Sequence, residues 1–119
     1  MKNLEIAKKL HAYVASGEYD KAYDELFDQD AVAIEPQLTA INFGKVSGIK
    51  AIKQKVTALG ENISELISRE MSEPIVTETH IAFTNVVLAK NKNNEEFGLS
   101  EICLYEVKEG KIISEQFIY

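Results

Sequence analysis

Apolar positions along this chain recur at a helical period first and at a strand period later. Leu4, Ala7, Leu10, His11 and Val14 fall three and four apart, which predicts one buried stripe on a first helix. Ser16-Gly17 ends that helix, with the glycine in the usual C-terminal position. Tyr19, Ala22, Tyr23, Leu26 and Phe27 repeat the stripe, and Asp28, Gln29 and Asp30 close it. Two helices joined so tightly predict an antiparallel hairpin. Residues 31–35 read as a short strand stopped at Pro36, whose missing N–H bars it from a central ladder. Residues 37–46 are the least regular stretch. Ser47-Gly48 then offers a helix start, and Ile49, Ile52, Val56 and Leu59 give a third stripe before Gly60.

From about residue 62 the pattern turns to alternation. Ile63 to Met71, Ile75 to Ala89, Phe97 to Lys108 and Lys111 to Ile118 are rich in β-branched and aromatic residues and read as strands. Lys90 to Glu96 is a polar hairpin loop, and Glu109-Gly110 is a two-residue turn between strands that should pair. Helices followed by a four-strand meander predict an α+β layout in one domain spanning 1–119.

Composition narrows the function classes. The chain has 119 residues, enough to bury a core without staples, and its 45% hydrophobic and 27% charged fractions are those of a globular domain. Nineteen acidic residues outnumber thirteen basic ones, for a net charge of −6, so a counterion-displacing stripe for nucleic acid is not expected. Lys50, Lys53 and Lys55 read as one solvated face. No apolar run approaches the roughly 20 residues that span a bilayer. Lys2 and the amphipathic stretch after it do not resemble a secretory signal, so a cytoplasmic location is expected. The single cysteine, Cys103, fits a reducing compartment and reads as a small buried hydrophobe. The two histidines and Cys103 are far apart, with no metal spacing, phosphate loop or nucleophile elbow, and no metal or cofactor is expected.

Three stretches together resemble a known family. Asp30-Ala31-Val32-Ala33-Ile34-Glu35-Pro36 is similar to the strand after the helical hairpin of SnoaL-like proteins. Gly44-Lys45-Val46-Ser47-Gly48-Ile49-Lys50-Ala51-Ile52 resembles their entry into the third helix, and Glu101 to Ile113 with Ser114 to Tyr119 resembles the closing hairpin of an uncharacterised branch. The resemblance, which extends to the nuclear transport factor 2-like and ketosteroid isomerase-like superfamily, implies a cone-shaped half-barrel. Three N-terminal helices would pack on a strongly curved, mainly antiparallel sheet around a mostly apolar pocket. Isomerases, dehydratases, polyketide cyclases and non-catalytic binders share that fold, so the fold carries little information about reaction.

The resemblance also supplies candidate site residues. Ketosteroid isomerase resembles Phe27 through Pro36 without a gap, and its base falls on Glu35. A carboxylate there can shuttle a proton at carbon when apolar surroundings disfavour its charge. The isomerase's second acid falls on Glu101, given one extra residue in the Glu109-Gly110 hairpin. Its oxyanion tyrosine falls on Leu10, so that phenol is missing, and Tyr13 lies on a different helical face. Alternation groups Glu101 with Cys103, Tyr105 and Val107, and places Ile113, Glu115, Phe117 and Tyr119 toward the pocket. Three unpaired carboxylates in one apolar space do not all ionise together; some are protonated, a cation is present, or one points elsewhere. Arg69, the only arginine, is a candidate partner. The row Ile81, Phe83, Asn85 and Val87 brings Phe83 and Asn85 inward and leaves His80 outside, and an inward amide needs a partner. His11 is expected near the pocket floor.

These residues leave three readings. The first is a pocket protein for a small apolar or carbonyl-containing molecule, with Tyr105, Glu115, Tyr119, Asn85, Phe83 and His11 as ligand contacts. The second is a proton-transfer enzyme of isomerase, dehydratase or cyclase type, with Glu35 as base and Glu101 as hydrogen-bond donor. The third is a structural dimerisation module with a filled barrel. An outer row of Ala82, Thr84, Val86, Leu88, Ile102 and Leu104 is too apolar for a solvated face and predicts a homodimer.

Overall fold

The computed structural model describes residues 2–36 and 44–119. Most of the irregular stretch expected at 37–46 lies outside the described residues. Helix α1 (Asn3–Ser16) buries Ile6, Ala7, Leu10 and Val14. The stripe is therefore rotated slightly from the expected one, with Ile6 inside and Leu4 54% exposed. Gly17 caps α1 in the left-handed conformation at φ 74°, and its N–H reaches the Val14 carbonyl at 3.1 Å. Helix α2 (Tyr19–Leu26) follows immediately and buries Ala22, Tyr23 and Leu26.

Phe27 does not belong to α2 but opens strand β1 (Phe27–Ile34). Asp28 to Asp30 bulge out of that strand, because the Asp28 carboxylate accepts the Asp30 N–H at 2.9 Å and turns the backbone locally. Strand β2 (Lys45–Ser47) pairs antiparallel with the end of β1. Gly48 then sits at φ 88°, ψ 142°, a conformation closed to side-chain-bearing residues, and turns the chain into helix α3 (Ile49–Gly60).

The remaining strands are β3 (Ile63–Met71), β4 (Ile75–Val76), β5 (His80–Asn91), β6 (Glu96–Lys108) and β7 (Lys111–Ile118). The strand expected over Ile75 to Ala89 is thus broken at 77–79, where the Thr77 N–H and the His80 carbonyl close a turn at 2.8 Å. Glu109 and Gly110 both take positive φ (53° and 77°), as a two-residue hairpin between β6 and β7 demands.

Sheet order is β2-β1-β7-β6-β5-β3, with β4 added to β5 beyond the end of β3. Among the described residues only β1 and β7 run parallel; the other pairs are antiparallel. Register shifts in the β3–β5, β6–β7 and β1–β7 pairs increase local twist and bend the sheet. The molecule is therefore an α+β half-barrel: three helices on the inner face of an open, curved sheet. Its core joins Leu10, Leu26 and Ile52 from the helices to Ile81, Tyr105 and Ile112 from the sheet. Within the single chain the outer row is partly exposed, with Val86 at 41% and Ile102 at 46%, while Ala82 and Leu104 are half-buried.

Candidate functional site

A cavity of about 230 Å³ lies between the helices and the inner face of the sheet. Tyr19, Tyr23, Phe27, Phe97, Tyr105 and Phe117 supply its aromatic lining. Glu35, Lys55, Arg69, Asn85, Glu101 and Glu115 supply its charged and amide groups.

Simple periodicities place the polar residues. Ala31 and Ala33 are buried on the inner face of β1, so Glu35, two residues on, continues that row toward the cavity. On β6, Cys103, Tyr105 and Val107 are buried, and Glu101 lies in the same row. On β7 a bulge separates the Val107–Ile112 pair from the Glu106–Ser114 pair. The expected alternation therefore fails at Ile113: Ile112 faces the core instead, while Glu115 and Phe117 keep their inward positions.

Lys55 changes the character of the site. It was grouped with Lys50 and Lys53 on a solvated face, but its side chain is only 2% exposed. Ile52, Lys55, Val56 and Leu59 follow the i, i+3, i+4, i+7 spacing that turns one side of α3 inward. The Lys55 ammonium donates to the Glu35 carboxylate at 3.3 Å and stands 5.2 Å from the centroid of the Phe117 ring. Breaking a buried pair of this kind strands a charge and costs about 3–5 kcal/mol.

The other two carboxyls are held differently. Glu115 is 2% exposed and accepts a hydrogen bond from the Tyr23 hydroxyl at 2.9 Å. Burial pushes its carboxyl up from an ordinary 4.5 to about 7, against the pull of Lys55 and of the Tyr23 hydrogen bond; the charges of Glu35 and Glu101 push the same way as burial. Glu101 is also raised by burial, though it accepts from Asn85 Nδ2 at 3.1 Å and from Cys103 Sγ at 3.7 Å. Burial and the neighbouring Glu101 push the Cys103 thiol up in turn, so it stays an un-ionised core residue. Burial first and Glu115 second hold the Tyr23 phenol well above its ordinary range. Among the described residues the carboxylates do not converge closely enough to hold a metal ion.

Asn85 is 5% exposed, and its Oδ1 has no hydrogen-bond partner among the described residues. Among the described residues Arg69 pairs with no carboxylate. Its guanidinium donates to the Val14 carbonyl at the end of α1 and to the Tyr19 hydroxyl at 2.7 Å, which ties β3 to the helical hairpin. Leu10 lines the cavity and supplies no phenol; Tyr13 donates instead to Glu25 on the helix surface.

Three expected contacts lie outside the lining. Phe83 is a core residue beneath it, tilted against Tyr105 with ring centroids 5.6 Å apart. His11 packs edge-on against Phe83 at 5.5 Å, and its Nε2 lies 3.0 Å from the Ser72 carbonyl oxygen, so it bridges α1 to the turn after β3. Tyr119 follows the last β6–β7 pair, Ile102–Ile118, and is 39% exposed. Sequence reasoning missed Tyr23 and Lys55 as site residues; both sat in readable helical rows that were assigned to packing and to solvent.

The Glu115 environment has a measurable consequence. A carboxyl whose folded pKa (about 7) exceeds its unfolded value (4.5) destabilises the fold progressively as pH rises between those values, and the effect saturates above the higher one. Glu115→Gln removes that penalty while keeping an oxygen for the Tyr23 hydroxyl. Urea unfolding of parent and variant at about pH 4 and pH 8 should show the variant gaining on the parent by on the order of 3 kcal/mol between the two. An equal difference at both pH values would mean that Glu115 titrates alike in the folded and unfolded chain, so that burial does not raise it.

Comparison with known proteins agrees with this architecture. The family model of the SnoaL-like domain matches residues 1–119. No curated protein matches the chain. A crystal structure of a candidate SnoaL-like polyketide cyclase from Mesorhizobium loti is similar over 100% of both chains, with 27% identity and a TM-score of 0.89. A nuclear transport factor 2-like protein of unknown function from Burkholderia pseudomallei has 12% identity and a TM-score of 0.82, over 100% of this chain and 91% of its own. A candidate isomerase from Bacillus subtilis has 18% identity and a TM-score of 0.74, over 98% and 88%. The last two share the fold alone. With the family match spanning every residue and the half-barrel in place, the chain belongs to the SnoaL-like domain family.

Proposed function

We propose that this protein binds a compact, mainly apolar molecule carrying a carbonyl group, with the carbonyl among Glu35, Lys55, Glu101 and Glu115. The supporting observation is the cavity itself: aromatic walls enclose a cluster of polar groups that are costly to bury unless they serve a ligand. At about 230 Å³ it lies below the ~300–1,000 Å³ of drug-sized sites, which favours a small aryl or acyl body. A filled-barrel structural module has no use for that space. Thermal melts with a panel of compact aryl ketones and their hydrocarbon counterparts test the reading. At least one ketone should raise Tm more than its hydrocarbon, and Val56→Phe, which fills the cavity from α3, should abolish the rise. A panel without effect, or an equal effect in the filled variant, would rule the pocket out as the binding site.

Proton transfer at carbon is the second reading, favoured by the position of Glu35 in the cavity wall beside two further carboxyls. Glu35 takes the proton next to the carbonyl, and the hydroxyls and protonated carboxyls of the cavity stabilise the enolate oxygen. NMR should then show deuterium entering the α-position of a bound ketone in D₂O, and Glu35→Gln should slow it about 100-fold or more. Exchange at the same rate in the variant would remove Glu35 as the base.

The exposed outer row of Val86, Leu88 and Ile102 supports a two-fold homodimer through that face. Light scattering at micromolar concentration should return twice the chain mass, and a monomer mass would defeat the assignment.

A further inference from the structure

We propose that Lys55 is a carbonyl-capturing nucleophile, forming a Schiff base with an aldehyde or ketone that enters the cavity while Glu35 carries the protons. The proposal rests on the carbonyl-binding reading above and adds a covalent step to it.

Position carries the first part of the argument. Lys55 is the one buried lysine among the described residues, and the cavity that it lines is a route to its amine. Among the described residues its single hydrogen bond goes to Glu35, so its other N–H directions are not committed to the protein. The flat Phe117 ring beside the amine provides a surface for an aryl or acyl body.

Charge carries the second part. A buried cavity resists any step that creates charge, because a bare ion in a low-dielectric space is poorly solvated. Schiff-base formation creates none. The Lys55 ammonium gives one proton to the Glu35 carboxylate, and the freed lone pair forms the N–C bond at the carbonyl carbon. Two proton transfers then carry the carbinolamine oxygen off as water: the Glu35 carboxyl returns its proton to it, and the nitrogen supplies the other. Ammonium plus carbonyl become protonated iminium plus water. The product's positive charge lies where the ammonium's was, so the Glu35 ion pair and the Phe117 contact survive the reaction. A positioned carboxyl 3.3 Å from the amine has the reach this shuttle needs. A lysine serving only to neutralise its carboxylate neighbours would make the same static contacts but would not react.

Reductive trapping separates the two. The protein is incubated with benzaldehyde and sodium cyanoborohydride, and the benzylated lysines are mapped by peptide mass spectrometry. Lys55 should label at least about tenfold faster than any exposed lysine, although burial alone would make it the slowest. Benzyl alcohol, which binds without reacting, should suppress that label and leave surface labelling unchanged. Glu35→Gln should slow the Lys55 label about 100-fold, with circular dichroism confirming the fold; site preference within the parent protein decides the matter even if the variant does not fold. Labels confined to surface lysines would overturn the proposal. If an aryl ketone of the panel above raises Tm in that case, the pocket reading stands and only covalent capture fails; if none does, both fall.

Discussion

The ion pair between Lys55 and Glu35 constrains most of what surrounds it. An ammonium with 2% of its side chain exposed is tolerable only beside a counter-charge, and Glu35, at the end of β1, supplies it. The pair therefore sets how α3 lies across the mouth of β1. The small inner residues Ala31 and Ala33 suit that arrangement, because they leave the helix room to approach the strand. The same cation offsets part of the burial cost of Glu115, which Tyr23 holds from the helical side. Helix, strand and both carboxyl positions are thus coupled through one buried positive charge.

The sheet supplies the other constraint. Bulges in β1, β3 and β7 bend it around the helices, and the bend turns an inner face that would otherwise pack flat into the wall of a cavity. The helical side is fixed by polar contacts as well as apolar ones: Arg69 grips the last turn of α1, and His11 reaches the turn after β3. These contacts tie the second half of α1 and the start of α2 to β3 and the turn after it, while Leu10 and Tyr23 line the cavity.

Much of this was legible in the sequence, and the failures share a physical origin. Helical rows, strand alternation, the Glu109-Gly110 turn and the α+β order follow from local periodicity and turn chemistry, and the structure carries them. Alternation along uninterrupted strands also sets Asn85 in an inward row and groups Glu101 with Tyr105, but which face of β6 is the inner one follows only from the packing of the helices on the sheet. Ile113 was misplaced because a bulge inserts one residue, and only the pairing of β6 with β7 reveals it. Lys55 was misplaced because residue type outweighed position: its place in the row of Ile52, Val56 and Leu59 pointed inward, while its charge suggested solvent. Phe83 takes the inner side that alternation gives it, yet the inner side has two depths, and its place is in the core rather than the lining; His11 is only half-buried, packed edge-on against Phe83. Depth depends on the curvature of the sheet, which no single strand encodes.

One restriction joins the two proposed chemistries. Enolate formation moves a negative charge from Glu35 to the ligand oxygen, and Schiff-base formation keeps the positive charge of Lys55 on the ligand nitrogen. Both relocate a charge that the fold has already solvated, and neither asks the aromatic walls to accommodate a new one. They differ in the role of the ammonium. In the first it remains protonated and acts as a fixed electrostatic partner, a role that an arginine of similar reach could fill. In the second it must surrender a proton and offer a lone pair, which a guanidinium does not do. The chemical identity of the cation at position 55, rather than its charge, is therefore what divides the two mechanisms.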